Sequence, residues 1–266
     1  MLSMITAFLI STAPVPAQCR AVDGADQLWS FGRVRLVLVG EVHGTAEQPL
    51  MFSDLACLAA QSGRRVTVAL EWSDDEQKFV DAFIASDGGA RARTRFLQAP
   101  SWRTPGPDGR SSAAMLRLFD DLRQLRAARL LRRVVAISPA RYNGPTQRNA
   151  GMAHRLLSVS RTSNDLVISL TGNVHASRAP IAVGGQLIPS MAALMPRATT
   201  MSLAIFSNGG TAWNCQDNCG VHSTGPGRSE KRRVILTNFP GQPFDGIIEL
   251  GTPVSASPPA VPPLNK

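Results

Sequence analysis

The chain has 266 residues, 44% of them hydrophobic, and a formal charge of +9 at pH 7. That apolar content is enough for one sizeable core and excludes wholesale disorder. The basic excess is spread along the chain and aromatics make up only 6%; with no RNA-binding signature, zinc finger or basic-zipper pattern, nucleic acid is not expected as a partner.

Met4 to Ala17 reads as a short apolar stretch ending in Val15-Pro16-Ala17, the pattern of a secretory signal, although no Lys or Arg precedes Arg20. Residues 1–20 are therefore expected to be a signal peptide or a disordered terminus, and the protein to be exported, either periplasmic or secreted. Pro16-Ala17-Gln18 is a poor lipobox, so lipid anchoring at Cys19 is not expected. No later apolar run approaches the roughly 18 residues needed to cross a bilayer.

Residues 34–39 form an apolar run that reads as a buried strand, followed by Gly40-Glu41-Val42-His43. Residues 47–62 read as an amphipathic helix stopped by Gly63. Val66 to Glu71 reads as a second strand, and Ser73-Asp74-Asp75-Glu76 as a capped helix start running to about Ser86. Residues 98–110 read as a Pro- and Gly-rich loop. Ser111 or Ser112 caps a helix through Leu130, Val134 to Ile137 is a third strand, Gln147 to Val159 a helix, and Leu166 to Leu170 a fourth strand. Gly172-Asn173-Val174-His175 follows, repeating the strand, glycine, then histidine three residues on. Thr200 to Phe206, Val234 to Leu236 and Gly246 to Leu250 read as further strands, around a polar excursion at 207–230. The tail from Thr252 holds five prolines and is expected to be disordered.

Strands alternating with helices predict an α/β fold: a central, mostly parallel sheet flanked by helices in one domain over residues 30–250. In such sheets ligands collect at the carboxyl edge. Cys19, Cys57, Cys215 and Cys219 are an even set that suits disulfides in an exported protein, with a local bridge between Cys215 and Cys219 favoured over free thiols or a metal clip that would add His222.

Two of the four histidines, His43 and His175, follow strand-end glycines, whereas His154 sits mid-helix and His222 in the polar excursion. If the backbone stays extended, Glu41 and His43 share a face and can act as an acid–base pair or bind a metal. Glu71 ends an apolar strand, where a buried carboxylate needs a partner. Arg148 could clamp a carboxylate or hold Glu41 or Glu71 in place. A Ser nucleophile is disfavoured, because no Gly-x-Ser-x-Gly occurs.

The ordered set Gly40-Glu41-Val42-His43-Gly44-Thr45, the strand ending at Glu71, Arg148-Asn149 with Met152-Ala153, Gly172-Asn173-Val174-His175-Ala176 and Ser190-Met191 resembles a superfamily. It includes ChaN-like haem-binding uptake proteins, erythromycin esterases and TIKI proteases, with the ChaN-like branch closest in length. The resemblance covers residues 34–206. It implies a site built from Glu41, His43, Glu71, Arg148 and His175, acting on a small-molecule substrate or binding haem. As a hydrolase, His43 would activate water. With a divalent metal, Glu41, His43 and His175 would be the ligands. As a haem or iron binder for uptake or sequestration, His43, His175 or Tyr142, the one tyrosine, would supply the axial ligand. The chain departs from the pattern after the third strand, where Ile137-Ser138-Pro139 replaces the expected acidic residue.

Overall fold

A computed structural model describes residues 19–104, 108–237 and 242–262; the expected signal segment lies almost wholly outside them. Its strands are β1 Leu36–Glu41, β2 Val66–Ser73, β3 Leu131–Ser138, β4 Leu166–Gly172, β5 Ile181–Val183, β6 Gln186–Ile188, β7 Thr200–Phe206, β8 Thr211–Cys215, β9 Cys219–Ser223, β10 Arg233–Leu236 and β11 Gly246–Glu249. Its helices are α1 Gln27–Ser30, α2 Glu47–Gln61, α3 Gln77–Ile84, α4 Ala90–Phe96, α5 Ala113–Ala127, α6 Gly144–Thr162 and α7 Asn173–Ala176.

Seven strands form one sheet in the order β10-β11-β7-β1-β4-β2-β3. All neighbours are parallel except β10 and β11. The continuous apolar runs of β1, β2 and β4 follow from burial on both faces. Alternation splits each strand between two cores. Val37, Val39, Val68 and Leu70 pack with Leu55 of α2, Phe83 of α3 and Phe119 of α5. Leu36, Leu38, Ala69 and Val167 pack with Met152 and Leu156 of α6 and Ala176 of α7.

Most expected elements are present. Ser112 caps α5, its hydroxyl accepting from the Met115 amide at 3.3 Å. The start expected at Ser73 differs: Asp74–Glu76 is a 3₁₀ turn and the Ser73 hydroxyl donates to Asp75 instead of capping. Glu76 turns inward, where it accepts from Trp72 Nε1 at 2.9 Å and from the Ser101 amide and hydroxyl, each at 2.8 Å. This ties Trp72 into a cluster of rings with Phe96, Trp102 and Phe119. Helix α4 was not legible, because ARARTRF offers only one large apolar residue to bury.

Residues 252–262 are not the free tail expected from their prolines. Val254 and Ser257 are buried. The segment straps the loop after β1 and the start of α5: the Ser257 amide donates to Gly44 O at 2.7 Å, Ala46 N to Ser255 O at 2.9 Å, and Ala113 N to Pro258 O at 2.8 Å. Proline cannot donate, but here it leaves carbonyls that accept. Two disulfides join Cys19 to Cys57 and Cys215 to Cys219. The first takes up the Cys19 sulfur that a lipid would need. Among the described residues no helix is long and apolar enough to cross a membrane.

Candidate functional site

The carboxyl ends of β1, β4 and β2, three adjacent strands, bring the expected residues together. The two strand-glycine segments interlock. A Cβ on Gly172 would stand 2.9 Å from His43 Nε2, and one on Gly40 would stand 2.6 Å from Asn173 Oδ1. Each glycine makes room for a polar side chain from beyond the neighbouring strand's end.

Glu41 and His43 are paired, though by a turn and not by extended backbone. Gly44 has φ +79° and reverses the chain after β1. His43 Nδ1 lies 2.9 Å from Glu41 Oε1, and its Nε2 lies 3.6 Å from Glu71 Oε2. Burial works against a charged His43, but the carboxylates of Glu71 and Glu41 outweigh it and raise the imidazole pKa to about 10. Burial pushes the Glu41 carboxyl up, against the pull of His43.

Glu71 is the hub. Burial opposes its charge, yet the charges of His43 and Arg148 hold its pKa well below the usual range. Its Oε2 accepts from the Gly172 amide at 2.8 Å, and its Oε1 from Arg148 Nη2 at 2.5 Å and Arg110 Nη1 at 3.3 Å. With so many donors it is a fixed counter-charge and a poor base.

His175 has a defined tautomer. Asn149 Nδ2 donates to Pro189 O at 2.9 Å, so Asn149 Oδ1 is the atom facing His175 Nδ1 at 2.7 Å, and Nδ1 carries the proton. His175 Nε2 is then an acceptor, 3.0 Å from Arg148 Nη1. Burial lowers the His175 pKa, against the pull of Glu71 and helped by Arg148, so the ring is neutral. Arg148 therefore bridges His175 and Glu71, and its guanidinium also stands 5.7 Å from the centre of the Tyr142 ring.

The cluster borders a cleft of about 390 Å³ whose lining includes Glu71, Trp72, Asp108, Arg110, Ser138 and Tyr142. That volume suits a small molecule. Arg110, Asp108 and Asn149 had no assigned role in the sequence reading. Arg110 chelates Asp108, with Nε at 2.8 Å and Nη2 at 2.7 Å from Oδ2, and reaches Glu71 with its remaining nitrogen. Ser138 stands where the resemblance expects an acid; its hydroxyl lies 3.4 Å from Arg148 Nε. His154 and His222 lie outside the cluster; His222 Nε2 bonds Asn218 O on the β8–β9 hairpin.

The donor set does not fit a metal. Arg148 occupies the Nε2 side of His175, and His43 has a carboxylate at each nitrogen, so a cation would have to displace a guanidinium. Among the described residues no group of three or more His, Cys, Asp or Glu side chains is arranged to hold a metal ion. For haem, His175 has both ring nitrogens engaged and His43 Nε2 faces the Glu71 carboxylate at 3.6 Å, which leaves Tyr142, about half exposed, as the accessible candidate.

No family model matches the chain, and no curated protein matches it in sequence. Solved structures do match in fold. A succinoglycan biosynthesis protein aligns with a TM-score of 0.62 at 9% identity, over 85% of this chain and 89% of that one. An erythromycin esterase variant in its open conformation aligns with a TM-score of 0.56 at 12% identity, over 85% of this chain and 92% of that one. A Bacillus cereus protein aligns with a TM-score of 0.56 at 10% identity, over 90% and 94%. These likenesses establish the shared fold expected from the motifs.

Proposed function

We propose that the chain is a hydrolase of small carboxylic esters that activates water through His43 without a metal. The observation that carries this reading is the Glu41–His43–Glu71 alignment, 2.9 Å on one side of the imidazole and 3.6 Å on the other. Glu41 fixes Nδ1–H, as an orienting carboxylate does for a catalytic histidine. The gap to Glu71 is too long for a direct hydrogen bond, and in this reading it holds the attacking water beside Glu71, which lines the cleft. The neutral form of His43 takes the proton of that water as it attacks the ester carbonyl. In this reading Arg110, which lines the cleft, supplies positive charge to the developing oxyanion with Arg148 behind it, and Glu71 keeps both guanidinium groups in place. The proton held on His43 then passes to the leaving alkoxide.

Two further facts support the ester class. The cleft is lined mainly by polar and small side chains, and a protein named as an erythromycin esterase shares the fold over most of both chains. The disulfides suit an exported protein, and we place the activity outside the cytoplasm. The test is turnover of a panel of carboxylic esters and lactones by the purified protein in the presence of a chelator, compared with His43→Gln. Turnover by the first and not the second supports the reading. A saturable Soret band on adding haemin, lost in Tyr142→Phe and without ester turnover, would replace it with haem binding.

A further inference from the structure

The amino edge of the sheet carries a second concave site. Between the end of α2, the start of β2, the end of α5 and the start of β3 lies a cavity of about 400 Å³ lined by Arg64, Arg65, Arg126, Arg129 and Arg132. Five residues of β2, roughly 17 Å of strand, separate Val66 at this edge from Glu71 at the other, so the two sites are distinct. Three of the five arginines are committed within the protein. Arg64 Nη1 donates to Trp29 O at 2.9 Å, and Arg65 and Arg132 share Asp165, which is fully buried. That single carboxylate leaves the cavity strongly positive. No side-chain hydrogen bond or ion pair joins Arg126 or Arg129 to any described residue.

Arg129 is held there by an unusual backbone. Among the described residues it alone, apart from glycines, has a positive φ, at 61°. It closes α5, with its amide on Arg126 O and the Leu130 amide on Leu125 O, both at 3.0 Å. This is the position where helices favour glycine, because a side chain there is strained. A guanidinium at that cost, on a rim of four others, marks a ligand site better than a cap. We infer that this cavity binds a phosphate-bearing anion, gripped by the guanidinium groups of Arg126 and Arg129 against the fixed charges of Arg64, Arg65 and Arg132.

The intact protein should bind pyrophosphate saturably by calorimetry at fixed ionic strength. Arg126→Gln with Arg129→Gly should weaken this at least tenfold. The glycine relieves the strained φ, so the melting temperature should not fall and misfolding is excluded as the cause. Arg91→Gln with Arg95→Gln removes the same charge from α4, where both side chains are exposed, and should leave binding unchanged. Absence of saturable binding, or equal weakening in the α4 pair, overturns the inference. Co-sedimentation with phosphatidylglycerol vesicles, but not phosphatidylcholine vesicles, and only with Arg126 and Arg129 present, would assign the phosphate to a lipid headgroup. Pyrophosphate binding without vesicle capture would assign it to a free solute.

Discussion

Asn149 Oδ1 stands 2.7 Å from His175 Nδ1, and the bond from the same amide to Pro189 O dictates which atom that oxygen is. One asparagine thereby sets the tautomer of a histidine on another element and turns its Nε2 lone pair toward Arg148. Nitrogen NMR should find His175 neutral at pH 7 with the proton on Nδ1. Asn149→Leu should mix the two tautomers and lower kcat more than KM, since Arg148 would lose a fixed acceptor. A protonated His175 at pH 7 would contradict the assignment.

Removing His43 should cost stability as well as activity. Glu41 and Glu71 are 4% and 6% exposed, and without the imidazolium between them Glu41 is a buried, unpaired carboxylate. Breaking one partner from a buried pair typically costs about 3–5 kcal/mol. In chemical denaturation His43→Ala should lose stability in that range, and adding Glu41→Gln should restore much of it. If the single variant is as stable as the parent, the charge pairing is not real.

The pH behaviour follows from His43, whose pKa is raised from the ordinary 6.5 to about 10. At pH 6.5 and below, folded and unfolded chains both carry its proton and its pairing contributes in full. Between there and about 10 the unfolded chain has released the proton and the folded one keeps it, so this contribution shrinks as pH rises. Activity should run the other way. If the neutral ring is the base, kcat/KM rises about tenfold per pH unit toward that pKa. Glu71→Gln removes the leading attraction and should shift the limb roughly one to three units toward acid. An unmoved limb would dissociate Glu71 from His43.

Gly44 should tolerate no side chain. Its φ is +79°, and a Cβ there would sit 1.8 Å from Trp213 O. The same residue's carbonyl accepts from Trp213 N at 2.9 Å and Ser257 N at 2.7 Å. Gly44→Ala should lower stability by at least about 2 kcal/mol and displace His43, so turnover should fall with the melting temperature. Ester turnover at the parental rate would show that the β8 strand and the 252–262 strap are irrelevant to the site.

Much of this site was legible because a parallel sheet converts sequence into position. Glu41, Glu71 and the Gly172–His175 run each follow an apolar run, and three adjacent parallel strands end at one edge. Arg148 was singled out by its place ahead of the fourth strand and again by the resemblance, but its dual bond to Glu71 and His175 has no local signature. Arg110 and Asp108 lie within a Pro- and Gly-rich loop, where no periodicity marks direction. The strap at 252–262 was misread because prolines suggest a free chain, whereas here the Pro258 carbonyl accepts from α5 and Ser255 and Ser257 bond the Gly44 loop. The resting charge of His43 depends on two carboxylates 30 residues apart in sequence, which spacing alone could not balance.

The most direct measurement is the initial rate of ester hydrolysis across pH by the chelator-treated protein and by His43→Gln. Turnover that survives the chelator, rises with pH and falls about 10²–10⁴-fold in the variant is the expected result. Turnover lost on chelation and restored by a divalent metal, or equal in both proteins, would contradict the metal-free role of His43.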